Sequence, residues 1–424
     1  MNTSNLKQKV ENKFGRKVST ASEVHFLKQD IFLITKQNIG YNTLRRFFGF
    51  LPSTTPSRNT LNIISKYIGY ENFSSFISDF KQDKEWYQWD YINNILLSNE
   101  IRSEDLKWLI KKRKSDQYYK LITFLICSLV DKKNKVLLEI IFKQEKIFDI
   151  QRNEIAKVST TLAKKFKRIY PKSNSWIISL LHFKTIRDLL LYSYVDIDSL
   201  KSYYGFLVKE STSIIIEKDE ILFNKLILGF HQFISKATPQ FFLINDLVVP
   251  DDCHPILLGR YYSMLLIASE KERDKIFLEI LQKAKQQESV KEFFQEIVPV
   301  LMILKKFKML QKLFDNYYNE LLDYEYWDHI HIERYNLVAL MLTHINNERL
   351  NLVQSLFKYF DEDSNFHIND SYQKIFFNIA KYHFYNKKET NGKESTKAKN
   401  NYYKMVDKTG FKYFNKDFLI SYFD

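Results

Sequence analysis

The sequence predicts an all-α protein, and three observations carry that expectation. Turn formers are scarce, with nine glycines and seven prolines in 424 residues. Leu, Ile, Lys and Glu abound at helical spacings, while period-two alternation is never sustained. Hydrophobic residues make up 45% of the chain and aromatics 16%, enough to bury a large core.

The first helix is expected over residues 4–15, where Leu6, Val10 and Phe14 lie four apart and Gly15 ends the pattern. A second runs from a Ser22 cap through Phe26, Leu27, Ile31 and Ile34. Gly40 interrupts it. Asn42 or Thr43 then caps a short helix bearing Leu44, Arg45, Arg46, Phe47 and Phe48, closed by Gly49. After the loop LPSTTPSRN, Asn59 or Thr60 opens a helix with Leu61, Ile64 and Ile68 inward, stopped by Gly69. A short helix through Phe73, Phe76 and Phe80 completes this group. Phe47, Phe48, Phe50, Ile64, Tyr67 and Phe76 are its expected core.

Beyond Phe80, Trp86, Trp89, Ile92 and Leu96 mark another helix, and Ser103-Glu-Asp-Leu opens the next with acidic first-turn residues. Apolar helices are expected over Tyr118–Val130, Val136–Phe148, Ile155–Ile169, Trp176–Phe183, Ile186–Tyr194 and Ile221–Ile234. The stretch FLVKESTSIIIEK has some β character and is assigned to a helix end or loop. In the last third, similar segments start at Tyr261, Val298, Tyr335 and Tyr372, each 37 residues from the last. A helix-pair repeat has about that length. Three regions are therefore expected: 1–82, 83–257 and 258–424.

Net charge is +14. Residues 1–80 hold eleven Lys/Arg against five Asp/Glu, and the remaining 344 residues carry the other +8. A compact basic domain attracts polyanions, nucleic acid most commonly. A solvated face that keeps the chain soluble would have the same composition.

Cys127 and Cys253 give neither a disulfide framework nor zinc-ligand spacing. MNTSNLKQKVENKFGRK has no apolar signal-peptide core, and the apolar run Leu121–Val130 is too short to span a bilayer. A cytoplasmic protein with no membrane segment and no cofactor is expected. Pro250-Asp-Asp-Cys-His-Pro255 clusters Asp251, Asp252, Cys253 and His254, but adjacent loop residues rarely face one ion, and an Asp capping the next helix explains them. His329 and His331 stand two apart and share no helix face. Gly392-Lys-Glu-Ser-Thr lacks the upstream glycine and strand of a phosphate loop. The lysine-rich segment 387–399 is read as an exposed loop. No enzyme is expected.

NTLRRFFG, TPSRNTLNIISKYIG and YENFSSF together resemble the lambda-repressor-like (XRE) helix-turn-helix class. The resemblance implies that helix Tyr41–Phe48 enters the major groove, with Asn42, Thr43, Arg45 and Arg46 at base edges and phosphates. It also implies that Lys36, Gln37 and Arg58 hold the flanking backbone. The 37-residue spacing resembles tetratricopeptide-type helix pairs, whose stacked solenoids take proteins or peptides. The expected partners are DNA on residues 1–82, and a protein, a peptide or a second copy (a homodimer) on the helical body. The alternative is a non-catalytic scaffold that binds no nucleic acid.

Overall fold

The computed structural model describes residues 4–52, 54–170, 174–236, 247–250, 252–322, 330–360, 370–388 and 392–424. It is all-α, with no strand among the described residues. Two compact units divide the chain, Met1–Glu100 and Ile101–Asp424.

The first unit holds α1 (Ser4–Phe14), α2 (Ala21–Thr35), α3 (Tyr41–Phe48), α4 (Arg58–Tyr67) and α5 (Phe73–Ser98). Leu6, Val10, Val24, Leu27, Ile31, Leu44, Phe47, Leu61, Ile64, Tyr67, Phe73 and Phe76 form its core. Of the six core positions expected here, Phe47, Ile64, Tyr67 and Phe76 are buried, while Phe48 and Phe50 are half-buried against them. The Tyr67 hydroxyl donates to Asp30, fastening α4 to α2. Burial and this bond hold its ionisation above the ordinary tyrosine range.

The sequence expectation ended this region at residue 82. However, α5 runs unbroken through that position, and the compact unit reaches Glu100. Residues 81–85, KQDKE, are polar yet helix-compatible and contain neither Gly nor Pro, so nothing stops the helix there.

Three expected caps of this unit also move, and Gly40, not Asn42 or Thr43, stands at the cap of α3. Thr20, not Ser22, caps α2 through a capping box with Glu23. Ser57, not Asn59 or Thr60, caps α4. In the capping box, Glu23 accepts from the Ser19 and Thr20 amides at 2.7 and 2.8 Å. These bonds, the Ser19 amide first, hold its carboxyl at about 2, below the ordinary 4.5. A depressed carboxyl stabilises the fold above its unfolded value and loses that contribution as pH falls through the folded one. The start of α2 is therefore expected to loosen between about pH 4.5 and 2. Amide exchange at Glu23 and Val24 would record this step, and Glu23→Gln should abolish its pH dependence.

The second unit opens with α6 (Ser103–Lys112), α7 (Tyr118–Asp131), α8 (Lys135–Phe142) and α9 (Arg152–Ile169). The expected Val136–Phe148 helix breaks after Phe142 and resumes as a 3-10 turn over Glu145–Phe148. Next come α10 (Asn174–Leu180), α11 (Lys184–Arg187), which passes into a π-helical turn over Asp188–Tyr192, α12 (Tyr203–Ser211) and α13 (Lys218–Ile234). FLVKESTSIIIEK is the end of α12 and the loop after it, as expected.

The remainder is α14 (Pro255–Ala268), α15 (Arg273–Ala284), α16 (Val290–Ile303), α17 (Phe307–Leu322), α18 (Ile330–Asn346), α19 (Leu350–Phe357), α20 (Asp370–Lys388), α21 (Lys393–Thr409) and α22 (Lys416–Ile420). The 37-residue spacing has a counterpart here: Tyr261, Val298, Tyr335 and Tyr372 fall in α14, α16, α18 and α20. Each of the first three packs on the next of the set, and all four also pack on the helix that follows in the chain. Most of segment 387–399 is helical rather than loop, since α20 runs to Lys388 and α21 starts at Lys393.

Candidate nucleic-acid interface

Helix α3 is short because its sequence limits it at both ends. Gly40 precedes it without a side-chain cap, and Gly49, at φ +91°, ends it. The Gly49 amide donates to Arg46 O at 3.2 Å and the Phe50 amide to Arg45 O at 2.8 Å. Such a left-handed terminus suits glycine, which has no Cβ to clash. Leu44 and Phe47, three apart, bury one face. Asn42 and Arg46 are exposed on the opposite side, with Thr43 and Arg45 half-buried beside them.

Arg45 is the most constrained of these. Its guanidinium lies 5.6 Å from the Tyr41 ring centroid, and one terminal nitrogen lies 3.5 Å from Asn42 Oδ1. Its Nε is buried without a hydrogen-bond partner. The side chain is thus held along the helix surface while part of its donor fork is unused.

Of the seven expected contact residues, Lys36 and Gln37 do not gather with the four on α3. The Tyr41 hydroxyl donates to Ala21 O at 3.0 Å, and its ring sits 6.1 Å from His25. Residues 36–40 therefore run back along α2, and α3 begins beside the first turn of α2. Lys36 caps the other end of α2 in the left-handed conformation, about 20 Å from Ala21 along the axis. Gln37 follows it, its amide bonded to Thr35 Oγ1. Arg58 is exposed at the start of α4. Asn42, Thr43, Arg45 and Arg46 share one helix, Lys36 and Gln37 follow the far end of α2, and Arg58 opens α4.

Sequence reading missed a second feature. Phe26, Phe32, Leu33 and Ile34 on α2 are 51, 48, 63 and 48% exposed. The buried stripe of α2 is Val24, Leu27 and Ile31, so much of its outer surface is apolar as well. Its apolar residues continue past the width that the core needs. That excess was legible in the sequence.

The enzyme-like clusters resolve into structure. His254, rather than an Asp, caps α14: its Nδ1 accepts from the Ile256 amide at 3.2 Å. Its other nitrogen is 3.3 Å from Arg152, and burial and that cation lower its ionisation. Burial pushes the Cys253 thiol up to about 12, which disfavours a thiolate. Asp251 and His329 lie outside the described residues, as do the side chains of Phe80 and His331. Gly392 opens α21, with Ser395 donating to its carbonyl. A depression lined by Tyr318, Asn319, Glu320 and Leu322 offers one carboxylate. No group of three metal-ligating side chains occurs among the described residues, and none of their helices is long and apolar enough to cross a membrane.

Comparison with family models, curated proteins and solved structures gives no match to this chain.

Proposed function

We propose that the protein is a cytoplasmic DNA-binding regulator whose first unit contacts DNA through α3, and whose helical body takes a protein or peptide. The observation that carries this reading is the outward placement of Asn42 and Arg46, with Arg45 half-buried beside them, on a helix anchored by Leu44 and Phe47. Asn and Arg form the paired hydrogen bonds that read adenine and guanine edges, and Arg also holds phosphates. The net +6 of residues 1–80 favours the encounter. The successive packing of α14, α16, α18 and α20 supports the reading of the body as a repeat, and stacked pairs suit extended ligands.

The test is a gel shift of the full chain on genomic fragments at two salt concentrations. Arg45→Ala with Arg46→Ala is expected to weaken binding at least tenfold, since one good base contact is worth about 1–3 kcal/mol. Far-UV circular dichroism should be unchanged. Equal affinity of the variant and the parent chain would remove α3 from the interface.

A second reading rests on the exposed apolar face of α2. Apolar side chains at this exposure suit a protein surface better than a phosphate backbone. In that case the first unit docks a protein and the chain is a scaffold. Leu33→Glu would then abolish a stoichiometric complex that Arg45→Ala leaves intact.

A further inference from the structure

The +8 that lies beyond residue 80 is not spread along the chain. Residues 101–170 contain eighteen Lys/Arg and eight Asp/Glu, a net +10, whereas residues 171–424 contain thirty-three of each and are neutral. The densest positive charge therefore sits at the start of the second unit, in α6–α9 and not around α3.

Helix α9 sorts this charge onto one side. Val158, Ser159, Leu162, Ala163 and Phe166 are buried against the unit. On the far side, Lys157, Lys164 and Arg168 are exposed at spacings of seven and four, which aligns them. The stripe is about 16 Å long. Thr160 and Thr161 fill it, each returning its hydroxyl to a carbonyl one turn back, and no acidic residue interrupts it between 157 and 168.

Neighbouring groups extend the stripe and do not quench it. α7 packs on α9 and brings Tyr119 alongside, with Lys157 Nζ 5.2 Å and Lys120 Nζ 5.9 Å from its ring centroid. Lys120 is exposed. Of the flanking carboxylates, Asp131 pairs with Lys165, Asp196 pairs with Lys167, and Glu154, one turn before Lys157, accepts from the Gln151 amide. Lys157, Lys164 and Arg168 are left facing solvent.

We infer that this α7–α9 face is a nucleic-acid backbone surface, a second contact for the polyanion that needs no base reading and does not depend on α3. A straight row of cations beside an aromatic ring matches the regular charge of a phosphodiester chain. Binding there would release counterions and would be steeply salt-dependent.

The test compares the full chain with the variant Lys120→Gln, Lys157→Gln, Lys164→Gln, Arg168→Gln on a mixed-sequence DNA duplex across a salt series. Each lost phosphate contact flattens the slope of log affinity against log salt by about 0.9. The variant is expected to be flatter by about 3.6, four contacts at about 0.9 each, and at least tenfold weaker near 0.1 M salt. A control replacing Lys271, Lys275, Lys283 and Lys285, exposed in the neutral region, should keep the parent slope. Arg45→Ala with Arg46→Ala should likewise retain the part of the slope that the α9 variant loses, which separates failure of this surface from failure of α3. Should the quadruple variant misfold, Lys164→Glu alone must still weaken binding. An unchanged slope in a folded variant, or loss of binding to anionic phosphatidylserine vesicles with duplex binding intact, would overturn the inference.

Discussion

Glu220→Ala is expected to destabilise the second unit by about 3–5 kcal/mol, among the largest effects of any single substitution in this chain. Glu220 and Arg187 are 5 and 8% exposed at their side chains. They meet in a two-pronged pair, Nε to Oε1 at 3.2 Å and a terminal nitrogen to Oε2 at 3.1 Å. The third guanidinium nitrogen donates to Leu181 O and His182 O at 2.9 and 3.1 Å. Thus one arginine ties α13 to α11 and also holds the turn before α11. Without the carboxylate, a buried cation keeps only neutral acceptors. The penalty for that stranded charge exceeds the net value of the pair. Arg187→Met combined with Glu220→Leu should recover most of the loss, because two apolar groups strand no charge. Urea unfolding of the parent, Glu220→Ala and the double variant, read by circular dichroism, checks both statements. A double variant as weak as Glu220→Ala would mean that the pair itself supplies the stability.

Gly259→Ala is expected to cost about 3 kcal/mol, at the upper end for an inserted methyl group. A Cβ at this position would stand 2.1 Å from Phe293 O and 3.1 Å from Phe293 C. The obstruction is backbone, which cannot rotate aside like a side-chain tip. α14 and α16 would have to part, and the Arg260–Glu296 pair that joins them at 2.7 Å would stretch. Thermal unfolding should show an early transition confined to the second unit. An unshifted transition would mean that α14 and α16 are not held at this separation.

Much of the fold was legible because local chemistry agreed with tertiary need. Leu44 and Phe47 at a spacing of three, followed by Gly49, fix α3 and its buried face without outside help. The positions at 261, 298, 335 and 372 marked four helices that pack in succession. What escaped was geometry between elements. Residues 36–40 carry no signal for the direction in which an extended segment leaves a helix, and only the Tyr41–Ala21 bond reveals that it doubles back. The continuation of α5 was hidden by a change from apolar to polar residues that leaves helix propensity intact. Of the candidate site, Asn42, Arg45 and Arg46 were readable from residue type, but the separation of Lys36 and Gln37 from α3 was not. The basic helices at 101–170 were present in the composition, diluted by averaging over a neutral stretch three times longer.

The most direct test of contact between α3 and DNA is a photo-crosslinking residue at position 42, exposed on that helix, in the full-length chain within cells. The expected adduct is removed by nuclease and absent when the same residue is placed at position 33 on the apolar face of α2. A nuclease-resistant, protease-sensitive adduct at 42 would contradict it and make α3 a protein contact.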